Sequence, residues 1–177
     1  MTGPAFEAAA TALVLRDGRG VTIRPVHPAD AEAFAAAFAR LSPEARYSRM
    51  MGSVRELSNA AVQQAVNPVA GRELALVAIA AKPEETIVGG ARYIVDDHGS
   101  CEFALAIADE WQRVGLASQL LRALIAHARE RRLQSIYGYV LATNKSMLQL
   151  AARLGFEITA SDEGPAVRLV RLELAAN

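Results

Sequence analysis

Residues 101–142 constrain the fold of this chain more tightly than any other stretch. CEFALAIAD (101–109) is a short β-prone run. After a brief polar break comes RVGLASQLLRALIAHARERR (113–132), in which Leu116, Leu120, Leu121, Leu124, Ile125 and Ala128 recur along one stripe at the helical period. SIYGYVLA (135–142) then returns to a strand pattern. A strand, a long helix and a strand in direct succession read as a crossover, which makes the two strands a parallel pair. The chain is expected to be a mixed α/β protein.

The remaining elements fit around that unit. TALVL and VTIRPV flank RDGRG, an Asp-Gly turn between β-prone runs, which reads as a hairpin, with residues 1–20 taken as an N-terminal extension and hairpin. A helix is expected over Pro28–Leu41, with Pro at its start, Asp30 and Glu32 in its first turn and Phe34 and Phe38 four apart. Ser42-Pro43-Glu44 restarts a helix through Met51, and a short one follows from Ser58 to Val66, stopped by Asn67-Pro68. ELALVAIAA and TIVGGARYIVDD read as strands joined by KPEE. NKSMLQLAARLG reads as a helix closed by a glycine, and FEITA and AVRLVRLEL as final strands. The length of 177 residues suits a single domain, 1–177, with a mixed central sheet flanked by helices.

Composition removes several classes of function. The formal net charge is +0, which argues against nucleic acid or a membrane surface as the main partner. One cysteine, Cys101, allows no intrachain disulfide and no cysteine-based zinc cage, and its position suggests a buried small hydrophobe. His27, His98 and His127 lack metal-ligand spacing, so no metal is expected. The first residues carry Glu7 inside their apolar part and no basic flank, unlike a signal peptide, and no apolar run is long enough to span a bilayer. A cytoplasmic protein, monomer or homodimer, is the expectation.

The junction WQRVGLA (111–117) is where chemistry is expected. Ligands of such sheets usually bind outside the carboxyl ends of strands, and this junction also opens a helix. A helix N-terminus offers unpaired N–H groups and a partial positive charge, and Gly115 would let an anion approach the backbone closely. The arrangement suits a phosphate or pyrophosphate; an ordinary connecting loop would equally explain it. Neither GxxxxGK[ST] nor GxGxxG is present, which counts against a nucleotide-binding α/β domain.

Gln112-Arg113-Val114-Gly115-Leu116-Ala117 resembles the Q/R-x-x-G-x-G/A signature of the GNAT family of N-acetyltransferases, with Ala117 where many members have Gly. The likeness continues through the strand before the motif, the helix after it, the strand SIYGYVLA and the helix from Asn144 to Leu154-Gly155-Phe156. Together with VTIRPVHPADAEAFAAAFARLSPEARYSRMM it spans roughly residues 13–174, and this early part is similar to the acetyltransferase domain of Pat-type bacterial protein-lysine acetyltransferases. The resemblance implies acetyl-CoA as donor. Its pyrophosphate would lie on the amides of Arg113 to Ser118, in the motif opened by Gln112. Its pantetheine would run beside Leu105, Ala106 and Ile107 like an added strand, and Asn144 would contact the same arm.

Transfer to an amine requires the amine to lose a proton. Glu102 is the candidate base. It shares a strand face with Ala104 and Ala106, which suggests open space, and partial burial there would raise its pKa. Pat-type enzymes carry a catalytic Glu ten residues before the motif, and Glu102 stands ten before Gln112. The tyrosine that many members place seven residues after the Asn is here Ala151, so the general acid is open between Tyr139, which shares a face with Tyr137 and reads rather as core, and water. Trp111 and Met50-Met51 read as packing, HARERR (127–132) as a solvated helix end, and the loops near Arg72 and Asp96-Asp97 as acceptor-side features without a readable code. The reading is an N-acetyltransferase acting on a primary amine, by direct transfer, with a protein lysine favoured. A small-molecule amine or antibiotic as acceptor, and a non-catalytic acyl-CoA sensor, are the alternatives.

Overall fold

In the computed structural model, residues 9–50, 57–81 and 83–174 are described. Eight strands form one sheet: β1 (Thr11–Val14), β2 (Gly20–Pro25), β3 (Glu73–Ala80), β4 (Thr86–Val95), β5 (Cys101–Ile107), β6 (Ser135–Leu141), β7 (Glu157–Ala160) and β8 (Val167–Glu173). Their order is β1-β2-β3-β4-β5-β6-β8-β7. Every neighbouring pair is antiparallel except β5 and β6, the parallel pair expected from the crossover. Five helices accompany the sheet: α1 (Ala31–Arg40), α2 (Pro43–Met50), α3 (Asn59–Val66), α4 (Leu116–Glu130) and α5 (Lys145–Arg153).

Local chemistry explains the helix boundaries. Pro28–Asp30 form a single 3-10 turn before α1. Asp30 accepts from the backbone N–H of His27 at 2.7 Å and from both terminal nitrogens of Arg24 at 2.8 Å, which ties the start of α1 to β2. Ser58 caps α3 through its hydroxyl and the Ala61 amide, and Asn144 caps α5 through its side-chain oxygen and the Met147 amide. The expected turn RDGRG is made with Gly18 at φ 85°, a left-handed geometry that suits glycine.

The core lies on both faces of the sheet. The α4 stripe is buried at every expected position, with Leu120, Leu121, Leu124 and Ala128 fully enclosed. Each buried leucine contributes roughly 1.5–3 kcal/mol, so α4 is the main clamp on this side. Leu150 and Ala151 of α5 and Phe156 join the same cluster. On the opposite face, Val26, Val66, Ala75, Val77 and Ile87 form a second cluster against which Phe34 and Ala37 of α1 pack.

His127 departs from expectation. It is not part of a solvated helix end but is buried, hydrogen-bonded to the Tyr93 hydroxyl. It stands one turn beyond Leu124 and so remains on the face that α4 presses onto the sheet. Burial lowers its pKa. Cys101 is buried as expected, and burial pushes its thiol up to about 12. Met51 lies outside the described residues, as does the side chain of Met50. No helix among the described residues is long and apolar enough to cross a membrane.

Candidate active site

The sheet opens between its two parallel strands. β5 and β6 are paired only at Cys101–Ile136 and Glu102–Tyr137, after which they diverge. Phe103 and Gly138 stand at the next position. The ring of Phe103, held edge-on against Phe156 at 5.6 Å between centroids, sits against the backbone of Gly138. A β-carbon on Gly138 would stand 2.8 Å from Phe103 Cε1, so only glycine leaves room for that ring. Beyond it, β5 is hydrogen-bonded to β4 on one side and leaves its other edge unpaired toward β6. This unpaired edge can accept a ligand that mimics a strand.

A cleft of about 1670 Å³ occupies the opening. Leu105, Ala106 and Ile107 of β5 line it, as do Gln112, Arg113, Gly115, Ala117 and Ser118 of the following loop and helix start. Asn144 lines it from the other side, together with Ser146 and Gln149 of α5. The residues expected at the donor site are thus brought together. Leu116 and Val114 are the two whose side chains face elsewhere. Leu116 is buried in the core and Val114 packs against it, leaving only their backbones for a ligand.

The loop geometry suits an anion. Asp109–Trp111 make one 3-10 turn, and Gln112 is extended and tied back to Asp109 by its side chain at 3.1 Å. Arg113 then takes φ 62° and Gly115 φ 97°. A left-handed non-glycine residue costs on the order of 1–2 kcal/mol, and such strain concentrates where backbone amides must point inward at a ligand. Gly115 is the N-cap of α4, and no side chain caps the helix. The amides that an Asp or Ser cap would satisfy are therefore left for a ligand. Trp111 is buried packing, as expected, with the Arg19 guanidinium over its ring at 3.7 Å.

One contributor was not legible in the sequence. The β1–β2 hairpin folds onto the motif loop: the Arg16 amide donates to the Val114 carbonyl at 3.2 Å, and Arg19 donates to the Glu110 carbonyl at 2.7 Å. This brings the Arg16 side chain into the cleft wall. No local pattern in RDGRG distinguishes it from an ordinary turn, because the contact joins segments about a hundred residues apart.

Glu102 lies at the apex of the opening, at the last paired position of β5 and β6. It is exposed, like its cross-strand neighbour Ile94 at 40%, so the partial burial expected for it is not found. Only this face of the sheet is open here, since Tyr93, Cys101 and Ile136 on the other face are fully buried. Ala104 and Ala106, which share its face, line an apolar cavity of about 240 Å³ beneath α1 and α3. Tyr137 stands beside Glu102, and its hydroxyl donates to Asp96 at 3.4 Å. Desolvation first, then the neighbouring charges of Asp96 and Glu102, pushes that phenol up to about 12. Tyr139 is half-buried rather than core, packed edge-on to Tyr137 at 6.2 Å, because Ile136, Gly138 and Val140 take the covered face of β6. Ala151 is fully buried and does not reach the cleft. Arg72 and Asp97 form an exposed ion pair at 3.3 Å beside Asp96. Among the described residues no group of His, Cys, Asp and Glu could hold a metal ion.

A sheet split between two parallel strands, with an uncapped helix start and strained amides at its mouth, is an arrangement that suits a long anionic ligand laid along a strand edge. Family comparison places it: residues 21–157 match the acetyltransferase (GNAT) domain model, and the chain belongs to that family. The chain is 37% identical over 144 residues to the acetyltransferase PA5475 of Pseudomonas aeruginosa, covering 80% of this chain and 77% of that protein. Its fold is shared with the GNAT domain of S. lividans PAT, at a TM-score of 0.85 and 24% identity over 93% of this chain and 96% of that one. It is also shared with spermidine N-acetyltransferase from Vibrio cholerae in complex with CoA and spermine, at 0.69 and 19% identity over 87% and 95% of the two chains. The protein is an acetyl-CoA-dependent N-acetyltransferase.

Proposed function

We propose that the protein, as one catalytic domain, transfers acetyl from acetyl-CoA directly to a primary amine of a protein lysine, with Glu102 as the general base. The uncapped amides of residues 115–118 hold the pyrophosphate, in a motif shaped by Gln112 and Arg113. The free edge of Leu105–Ile107 and the Asn144 side follow the pantetheine. The donor supplies an activated thioester carbonyl. Glu102 takes the proton from the incoming ammonium, directly or through water. The amine nitrogen then forms the new N–C bond, the C–S bond breaks, and the second proton of that nitrogen passes through water to the departing CoA thiolate, leaving a neutral amide and the CoA thiol. No tyrosine is needed for that last step, since a thiolate is a good leaving group, and Ala151 offers none.

The observation that carries the reading is the position of Glu102: an exposed carboxylate at the apex where the parallel strands part. Its openness favours an acceptor presented on a protein surface over a small amine that must be enclosed. The experiment is incubation of the protein and acetyl-CoA with cytoplasmic proteins, followed by mass spectrometry. Site-selective lysine acetylation by the wild type, lost in Glu102→Gln, supports the proposal. Equal labelling by both proteins, with rapid CoA release on a small amine or aminoglycoside by the wild type alone, replaces the protein lysine with a small-molecule acceptor.

A further inference from the structure

Arg16 and Arg19 flank the same Asp-Gly turn but are used differently. Arg19 is fully engaged: Nε pairs with Asp17 at 2.6 Å, Nη2 donates to the Glu110 carbonyl, and the guanidinium covers Trp111. These contacts fasten the hairpin to the strand-to-helix loop and occupy the one carboxylate in the turn. Arg16 is fastened by its backbone instead, through its amide and the Val114 carbonyl. Its guanidinium makes no ion pair or hydrogen bond among the described residues. It lies over Gly115: a β-carbon there would stand 3.2 Å from Arg16 Nε and 3.5 Å from Nη2. The exposed guanidinium thus stands beside Gly115, the residue that opens α4, in the wall of the cleft.

We propose that Arg16 is a donor-binding residue, pairing its guanidinium with the pyrophosphate of acetyl-CoA from the side opposite the α4 amides. The inference rests on the donor reading above and adds to it a residue from the N-terminal hairpin. Helix-start amides hold one side of a diphosphate, and its remaining oxygens face outward, where a planar guanidinium can take two of them. Arg46, Arg113 and Arg153 also border the cleft, but none of them is among the atoms nearest a Gly115 β-carbon. The hairpin is then a structural part of the donor site rather than an appendage.

The test is equilibrium binding of CoA and of dephospho-CoA, which keeps the pyrophosphate but lacks the 3′-phosphate, to the wild type, Arg16→Ala and Arg16→Lys. The backbone bond to Val114 survives both substitutions, and an unchanged circular dichroism spectrum and melting temperature without ligand confirm that the hairpin is still docked. Arg16→Ala should weaken both ligands by about tenfold or more, the usual scale for a lost charge-assisted contact, with a shallower dependence of affinity on salt. Arg16→Lys should recover part of the loss. An unchanged affinity for both ligands in Arg16→Ala overturns the proposal while leaving the donor site intact. A loss confined to CoA overturns the pyrophosphate assignment. Failure of the wild type to bind either ligand overturns the donor reading itself, and this proposal with it.

Discussion

Replacing Gly115 with alanine separates the two roles of the donor loop. Gly115 sits at φ 97°, so alanine pays left-handed strain of about 1–2 kcal/mol. The new methyl would meet only the far end of Arg16, a flexible side chain that moves aside cheaply. Without ligand, the melting temperature should therefore fall by roughly 2–8 °C for a domain of this size. With ligand the effect is larger. Acetyl-CoA at 100 times its dissociation constant should stabilise the wild type by about 2.7 kcal/mol. The methyl stands where a phosphate oxygen must approach the amides. Losing two charge-assisted bonds at about 1.5 kcal/mol each weakens binding roughly a hundredfold. At the same ligand concentration the stabilisation then drops to about 0.4 kcal/mol. Gly71 supplies the control: it has φ 78° and nothing within 4 Å of an added β-carbon. Gly71→Ala should show the same unliganded loss and the full ligand-induced rise. Paired thermal melts with and without acetyl-CoA read both quantities. A Gly115→Ala protein that keeps the full rise would refute the placement of the pyrophosphate on this loop.

Two further predictions concern the scaffold. Gly138→Ala should cost about 1–3 kcal/mol in chemical denaturation, because its β-carbon would stand 2.8 Å from Phe103 Cε1. The cost should shrink in a Phe103→Leu background, and simple additivity of the two would contradict the contact between them. The bonds from Arg24 hold the Asp30 carboxyl below its ordinary value of 3.8. Since the folded state lowers this pKa, the pair stabilises above pH 3.8 and the contribution is lost as pH falls through the folded value. Asp30→Asn should lower stability at pH 7 by about 1 kcal/mol and flatten the acid limb of a stability–pH profile, and an unchanged acid limb would contradict the assignment.

Local pattern and long-range contact divided what could be read in advance. The α4 stripe, the parallel pair around it and the glycine at the helix start follow from periodicity and spacing, which are local properties. That Leu105–Ile107, the 112–118 loop and Asn144 line one cleft was anticipated from the family resemblance, most of them lying in one continuous strand–loop–helix segment. The packing of Phe103 over Gly138, beside the point where β5 and β6 part, joins residues that neither local pattern announces. His127 read as solvated because an arginine-rich end suggested exposure, but its phase on α4 keeps it under the sheet beside Tyr93. The exposure of Glu102 likewise depends on which face of the sheet is covered, since Cys101 beside it is fully buried on the other face. Arg16 is reached only when the hairpin folds onto a loop about a hundred residues away.

The account stands on Glu102 acting on the acceptor while the loop at Gly115 holds the donor. The most direct measurement is the pair of turnover and acetyl-CoA dissociation constant for Glu102→Gln against the wild type, with an accepted amine substrate. The account predicts turnover reduced on the order of a hundredfold or more, with the dissociation constant for acetyl-CoA nearly unchanged. Unchanged turnover across the pH range would contradict Glu102 as base, and a parallel loss of acetyl-CoA binding would make its role structural.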